Sequence, residues 1–577
     1  MKKKTLTYAI IGGIVLLSLA ILIWIVAGPS GPIVVSKQTT HLTEPLSKNG
    51  LVDYHQAILE MQGNGVTPEQ NAAIPYLQAT WPAGIAPEDQ PLVCDALQMP
   101  MPEAPGLPAY TGEANKSTIL AWLNQNFAGE VAAGDLDPLT DADALDVLIA
   151  ALAPWTRQQL PPLAAWLDEQ AVHLDKLHEM NDRPRFFLPS PTLLRTKKSY
   201  LFACDLPTVM TQRDTQRVLL ARANLRIGEN QPEHAWEDIK TVFTLSDRHS
   251  RPGMLVELLH GIALRGVANS ALQALLNSGQ CDAQLLTEID KHLAALGPMN
   301  EMATAIDTTE RFMGLDAAIV ISTDPVAAQE FFEGENPIGA LANVPFDRNI
   351  MLVRLNEWYD QMTEALAIED LTEREAAIGQ VTVEIQEIGE EFKSPGNIAA
   401  ALFSQRARGE AIARLMGALL LPAVMQVGAA EERVNIQLQL LRVAVKLEKW
   451  KLEQGDYPDS LDQLGDQIDP QLLIDPYAPG PLRYDRREPG YLLYSLFSNR
   501  IDDEGSSPWG DVIDGEWVDE EGVSIFPDGD MVLRFPLLKR PPLLTELEEE
   551  VHRNKAWRDD PEFQEMLEEQ DPPLEDE

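Results

Sequence analysis

The sequence predicts a mainly α-helical protein with an N-terminal transmembrane helix, a helical bundle or solenoid-like body, and a small α+β module near the C-terminus. Three observations carry this reading. An unbroken apolar run extends from Tyr8 to Ala27. Between about residues 117 and 454, apolar residues recur at helical spacing, punctuated by Gly and Pro where helices should stop. After Gly455, short strand-like pieces separated by turn residues replace that period.

The apolar run comes first. About 20 residues at about 1.5 Å each cover the roughly 30 Å hydrocarbon layer, and no charge interrupts them. Trp24 suits an interfacial anchor, and Gly28-Pro29 with Gly31-Pro32 ends the helix. Lys2, Lys3 and Lys4 precede the run and no lysine follows closely, so residues 1–27 read as a cytoplasmic tip and single-pass inner-membrane anchor. The bulk of the chain then lies in the periplasm or otherwise outside the cytoplasm. The alternative is a signal peptide cleaved after Ala27. The run exceeds the usual h-region of about 7–15 residues, and Ile25 occupies the −3 position, so the anchor is the preferred reading. Leu415–Met425 is also apolar, but it contains Pro422 and is too short to span.

Composition narrows the partners. The chain has 577 residues, with 45 Lys+Arg against 89 Asp+Glu and a formal charge of −44. That balance excludes a generic nucleic-acid binder and argues against peripheral docking on anionic lipid. The apolar share of 45% supports a sizeable core. Cys94, Cys204 and Cys281 are widely spaced without a Cys-x-x-Cys pair, so they read as small buried hydrophobes, with one disulfide at most.

Residues 28–50 read as a linker, and 51–116 as a helix followed by a Pro-rich loop. Thr67-Pro68-Glu69-Gln70 has the composition of a helix start, and Pro82 to Pro108 lacks helical period. The body covers 117–434. Leu163, Trp166, Leu167, Val172, Leu174 and Leu177 mark one helical face, and a hairpin runs from Asp214 to Leu245 around Gly228 and Pro232. Small Ala223 and Ala235 make that hairpin tetratricopeptide-like, although no 34-residue period repeats it. Two helices closing at Gly279 and at Gly297-Pro298 follow, with further helical segments over about 299–322, 347–391 and 397–454. The module occupies 435–540, with strands at Leu482–Tyr484, Tyr491–Leu496, Val523–Phe526 and Met531–Phe535, and a hairpin turn at Phe526-Pro527-Asp528-Gly529-Asp530. An acidic tail, 541–577, reads as a surface helix followed by disorder.

Ordered short motifs run through the module. An amphipathic helix, Val434 to Leu452, leads to Gly455-Asp456-Tyr457-Pro458-Asp459-Ser460-Leu461. Asp475-Pro476-Tyr477, Tyr484 and Pro489-Gly490-Tyr491-Leu492-Leu493-Tyr494-Ser495 follow, then Asn499, Asp502, Asp503 and Gly510-Asp511-Val512-Ile513. This series resembles the C-terminal part of the major pseudopilins of type II secretion systems. The resemblance implies a pilin-like α+β fold and a loop that binds Ca²⁺, with Ser495, Asp502, Asp503 and Asp511 as candidate ligands. An all-oxygen set suits that ion. Unlike a pseudopilin, the chain places some 400 residues between the apolar run and the module, has no Glu within the run and shows no prepilin cleavage motif, which puts pilus assembly in doubt. A second resemblance, carried by Asn71-Ala72-Ala73, Tyr76-Leu77 and Arg183-Pro184-Arg185-Phe186, is to signal-anchored bacterial proteins with this ending, and it brings no activity.

Catalytic signatures are missing from the sequence. There is no P-loop, no His-Glu-x-x-His and no Gly-x-Ser-x-Gly. His173 and His178 are five apart, off the spacing that puts two ligands on one helix face, and His260 lies within an apolar helix. The acids Asp135, Asp137, Asp141 and Asp143 lack the Gly and Glu of an EF-hand loop, and Thr140 or Asp141 reads as an N-cap. No catalytic or cofactor-binding residue is singled out. The expectation is a non-enzymatic envelope scaffold with protein partners. A secretion-associated component is the first alternative, and an extracytoplasmic hydrolase with a site assembled in space is the second.

Overall fold

A computed structural model describes residues 28–195, 200–249, 253–299, 301–324, 344–391, 404–420, 422–505, 512–513, 516–517, 530–537 and 544–558. The protein is mainly helical and closes on a small antiparallel sheet. No helix among the described residues is long and apolar enough to cross a membrane. Tyr8–Ala27 lies outside them, as do Asp511 and the strand expected at Val523–Phe526.

Two large apolar cores organise the described residues, beside a small third one of Leu492, Tyr494 and Leu496. The larger gathers residues from Ala72 to Leu293, the stretch Ile436–Leu447 and the sheet residues Tyr491, Leu493 and Phe535. The other gathers Tyr54, Ile58, Leu255, Leu258, Phe312, Leu315, Leu352, Leu355 and Met416. The helix Leu255–Asn277 belongs to both, turning Leu258 and Ile262 into one core and Leu272 and Leu275 into the other. In the second core, helices Arg311–Thr323, Arg348–Leu366 and Gln405–Leu420 pack closely. Gly417 allows this, because a Cβ there would collide with the Trp358 ring.

The hairpin expected near 214–245 is present as Thr208–Gly228 and Pro232–His249, with Ala223 and Ala235 fully buried. A charge network ties it together. Arg222 donates from Nε and Nη2 to the Asp238 carboxylate at 2.6–3.2 Å, and from Nη1 to Asp175 at 2.9 Å. Arg226 adds a 2.7 Å bond to Asp238, and His178 Nε2 lies 2.9 Å from it. Burial pushes the Asp238 pKa up. The opposing Arg222 charge, the His178 bond and the Arg226 charge outweigh that, so the carboxyl ends below its ordinary value. Thr140 caps the helix Asp141–Ala150, with Asp143 completing a capping box.

Thr67-Pro68-Glu69-Gln70 forms a turn, and the helix proper is Ala73–Thr80. Asn71 is the reason. Its Oδ1 accepts from Ala73 N (3.1 Å) and Phe187 N (2.9 Å), and its Nδ2 donates to the Phe187 carbonyl (2.9 Å). The Asn-Ala-Ala and Arg-Pro-Arg segments therefore meet in space, joined also by Ala72 N donating to the Arg185 carbonyl at 2.7 Å. The Pro82–Pro108 stretch holds a short helix, Gln90–Leu97, with Pro91 in its first turn. Asp89, just before it, is pinned by Arg195 at 2.5 Å. Residues 28–42 lie against the helix Arg348–Leu366 rather than crossing solvent. Cys94 and Cys281 are buried thiols, and Cys204 is half-buried with Sγ 3.1 Å from Ser190 Oγ.

The long helix Pro422–Gln454 leads into the module. Strands β1 (Arg483–Arg487), β2 (Gly490–Ser495) and β5 (Met531–Phe535) form an antiparallel sheet in the order β1-β2-β5. Between them in sequence, β3 (Val512–Ile513) and β4 (Glu516–Trp517) pair as a separate two-residue ladder. Every β2 residue is buried, and β5 alternates buried and half-buried. Gly490 is required where the chain passes the Phe535 carbonyl too closely for any Cβ. The helix Thr545–Arg558 returns to the body, where Leu547 and Val551 join the larger core and Asn554 Nδ2 donates to the Asp135 carbonyl at 3.1 Å.

Candidate cation-binding loop

The quoted module residues act as fasteners. After Gly455 ends the long helix at φ +87, Tyr457 turns back and donates its hydroxyl to Glu448 Oε1 at 2.7 Å. Tyr484 donates to the Pro458 carbonyl at 2.8 Å, and the Tyr457 and Tyr491 rings meet edge-on at 4.8 Å. Asp475 is 2% exposed and gathers three donors: Tyr477 N (3.0 Å), Ser495 Oγ (2.7 Å) and Leu496 N (3.0 Å). Tyr477 then reaches Glu432 on the long helix at 2.9 Å.

The loop follows β2. Phe497, Arg500, Glu504 and Gly505 all take positive φ, which folds the chain back on itself. Ser495, the first candidate ligand, sits fully buried at the end of β2, with its hydroxyl donating to Asp475 and accepting from Phe497 N at 3.2 Å. Asp502 accepts from Tyr494 Oη at 3.1 Å and from Glu504 N at 3.0 Å, and lies 3.6 Å from Arg483 Nε. Asp503 accepts from Asn499 Nδ2 at 3.1 Å.

Sequence reasoning missed Asp530. It precedes β5 and is 5% exposed. Its Oδ2 accepts from Asp503 N (3.0 Å) and Gly505 N (2.9 Å), which closes the loop, while the buried Oδ1 has no hydrogen-bond partner among the described residues. Burial raises its pKa, and the nearby Asp503 and Asp502 charges add to the rise against the two backbone donors. The only sequence signal was its place in the acidic Asp528-Gly529-Asp530 run, which also reads as a turn.

An unpaired carboxylate oxygen beside two further carboxylates is where a hard cation relieves both desolvation and repulsion. Among the described residues, no three His, Cys, Asp or Glu side chains are grouped closely enough to hold one ion. Asp530 Oδ1 is therefore a single available oxygen, short of the six to eight that Ca²⁺ takes.

Two other raised carboxyls point at backbone. Glu257, pushed up to about 7 by burial, accepts from Met254 N at 2.8 Å. Glu431, also raised to about 7 by burial, accepts from Glu301 N at 2.9 Å. His260 and His292 are lowered to about 4, chiefly by burial.

Fold and loop together define a helical protein closed by a small helix-and-sheet module. No family model matches the chain, and neither a curated protein nor a solved structure matches it.

Proposed function

We propose that this chain is a membrane-tethered scaffold of the cell envelope, anchored by residues 8–27 with its bulk outside the cytoplasm, and that its helical body offers surfaces to protein partners. One observation carries the scaffold reading: buried ionisable groups are directed at holding helices together. Asp238 joins two arginines, Glu257 and Glu431 hold backbone N–H groups, and Tyr477 joins Glu432. Active sites instead turn perturbed groups toward a shared cleft. A C-terminal fusion to a reporter active only outside the cytoplasm tests the placement. In-cell cross-linking followed by purification of the full chain tests the scaffold, which predicts a reproducible partner set. Cytosolic recovery of the intact chain, or its isolation without partners, refutes the respective part.

The module is pilin-like in this reading, because Tyr457, Asp475, Tyr484 and Ser495 fasten a long helix to an antiparallel sheet. Ca²⁺ is its proposed ligand, with Asp530 Oδ1 as the one available carboxylate oxygen of the loop that carries Asp502 and Asp503. A secretion-associated role is the second reading, favoured by the motif order alone. Its test is whether secretion components co-purify with the full chain.

A further inference from the structure

The segment that follows the apolar run has no slack. Gln405 Nε2 donates to the Gly28 carbonyl at 2.9 Å, one residue beyond Ala27. Phe346 N donates to Ser30 Oγ at 3.1 Å, and Asn349 clamps the next turn, donating to the Pro32 carbonyl (2.9 Å) and accepting from Val34 N (2.8 Å). Two helical turns on, Asn356 Nδ2 donates to the Gln38 and Thr39 carbonyls at 3.1 and 2.9 Å. Ile33, Val35 and Leu42 pack into the second core between these bonds. A flexible tether would leave its backbone to water; this one is bonded at intervals along its length.

Adjacent Cα atoms are about 3.8 Å apart. If residues 8–27 span the bilayer, Gln405 and Phe346 must therefore lie at its surface. The composition of this pole differs from the rest of the chain. Residues 28–43 contain no Asp or Glu. In 344–357 and 404–414, Arg348, Arg354, Arg406, Arg408 and Arg414 outnumber Asp347, Glu357 and Glu410, reversing the 45-to-89 balance of the whole protein. Arg408 is buried against the Pro345 carbonyl, Arg354 pairs with Glu357, and Arg406 shares Glu410 with Arg354. Val34 is 57% exposed, Pro29 and Pro32 are exposed, and the Arg406 side chain is 67% exposed. Apolar groups interleaved with arginine suit the interface between headgroups and acyl chains, where basic groups are drawn to an anionic surface. The overall acidity, which argues against lipid docking for the chain as a whole, does not hold at this pole.

We infer that the pole built from residues 28–37, 344–350 and 404–408 rests on anionic phospholipid headgroups, so that the body is seated on the bilayer in a fixed orientation. The inference rests on the anchor reading. Full-length protein carrying a fluorophore at Val34→Cys or Arg406→Cys is reconstituted in phosphatidylcholine vesicles, with or without phosphatidylglycerol and with a headgroup-attached quencher. Val172→Cys, 78% exposed on a helix packed against the other core, is the control site, and unsubstituted protein sets the background from the native thiols. The expected result is severalfold stronger quenching at 34 and 406 than at 172. Quenching at 34 should be stronger with phosphatidylglycerol, and that increment should disappear in Arg406→Glu. Equal quenching at all three sites in protein that floats with the vesicles overturns the seating and leaves the anchor intact. Quenching indifferent to phosphatidylglycerol overturns the anionic-headgroup contact. Protein that does not float removes the anchor itself.

Discussion

Replacing Asp238 with Asn removes the charge at the centre of the hairpin network while keeping the side chain's shape. Asp238 is fully buried and serves Arg222, Arg226 and His178 from two oxygens. Arg222 is itself 5% exposed, so the loss leaves a buried guanidinium whose remaining carboxylate partner is Asp175, 63% exposed. Removing one member of a buried pair costs about 3–5 kcal/mol, since the remaining charge stays desolvated. Hydrogen exchange reads this locally: opening free energies at Leu225 and Ile239 should fall by that amount, and protection should drop on the order of a hundredfold or more. Asp168→Asn is the control. Its bond to Arg157 is as short, at 2.6 Å, but the two side chains are 46% and 61% exposed, so the loss should stay below about 1 kcal/mol. The pH dependence has a definite sign. Because the folded pKa of Asp238 lies below its ordinary 3.8, its contribution is present above about pH 4 and is lost as pH falls through the lowered value. The gap between wild type and Asp238→Asn must therefore narrow in acid. A loss at Asp238 no larger than at Asp168, or a gap constant with pH, would refute the reasoning.

Millimolar Ca²⁺ should raise the melting temperature of the full chain, since a ligand bound only to the folded state stabilises it by RT ln(1 + [L]/Kd). Asp530→Asn should abolish the shift, and an unchanged shift in that variant places the ion elsewhere. Glu257 has a folded pKa of about 7 against an ordinary 4.5, so its contribution is complete below about 4.5 and declines as pH rises toward 7. Glu257→Gln keeps the acceptor for Met254 N and should flatten that limb of the stability profile, measured by chemical denaturation across the range. Tyr457→Phe leaves Glu448 without its 2.7 Å donor and should destabilise the module by about 1–3 kcal/mol, seen as faster exchange in β1 and β2 with the hairpin unchanged.

The helical body was legible because its signal is local. Apolar spacing and Gly or Pro stops locate Thr208–Gly228, Pro232–His249, Leu255–Asn277 and Ala283–Leu296 without tertiary information. The strap at 28–42 was not legible. Its Gly, Pro, Ser and Thr content matches a solvated linker, and what orders it is Asn349 and Asn356, more than 300 residues later. Asp238 posed a related difficulty: an acid on an amphipathic helix normally faces water, and only the approach of His178, Arg222 and Arg226 makes it a hub. In the module the motif order pointed to Ser495, Asp502, Asp503 and Asp511, the last outside the described residues. Asp530 owes its unpaired oxygen to loop closure by Asp503 N and Gly505 N, a contact no spacing encodes.

The long helix Pro422–Gln454 bears on whether the module acts as a pilin does, by stacking its helix against copies of itself. One set of its side chains engages the body. Asn269 Nδ2 reaches Gln437 Oε1 at 3.3 Å, Asn435 bonds the Met299 backbone at 2.7–2.8 Å, and Lys446 reaches Asp290 at 2.6 Å. Another set engages the module. Gln439 donates to the Leu472 and Ile474 carbonyls at 2.9 and 2.7 Å, and Glu448 and Glu432 receive Tyr457 and Tyr477. Between these contacts Ile436, Leu440, Val443 and Leu447 are buried in the larger core. Each such side chain left in water costs about 1.5–3 kcal/mol, so freeing the helix for stacking would cost an amount comparable to the whole stability of an ordinary domain. The helix is a shared wall between body and module. That geometry makes the helix a fixed part of the core rather than a free surface for stacking against copies of itself.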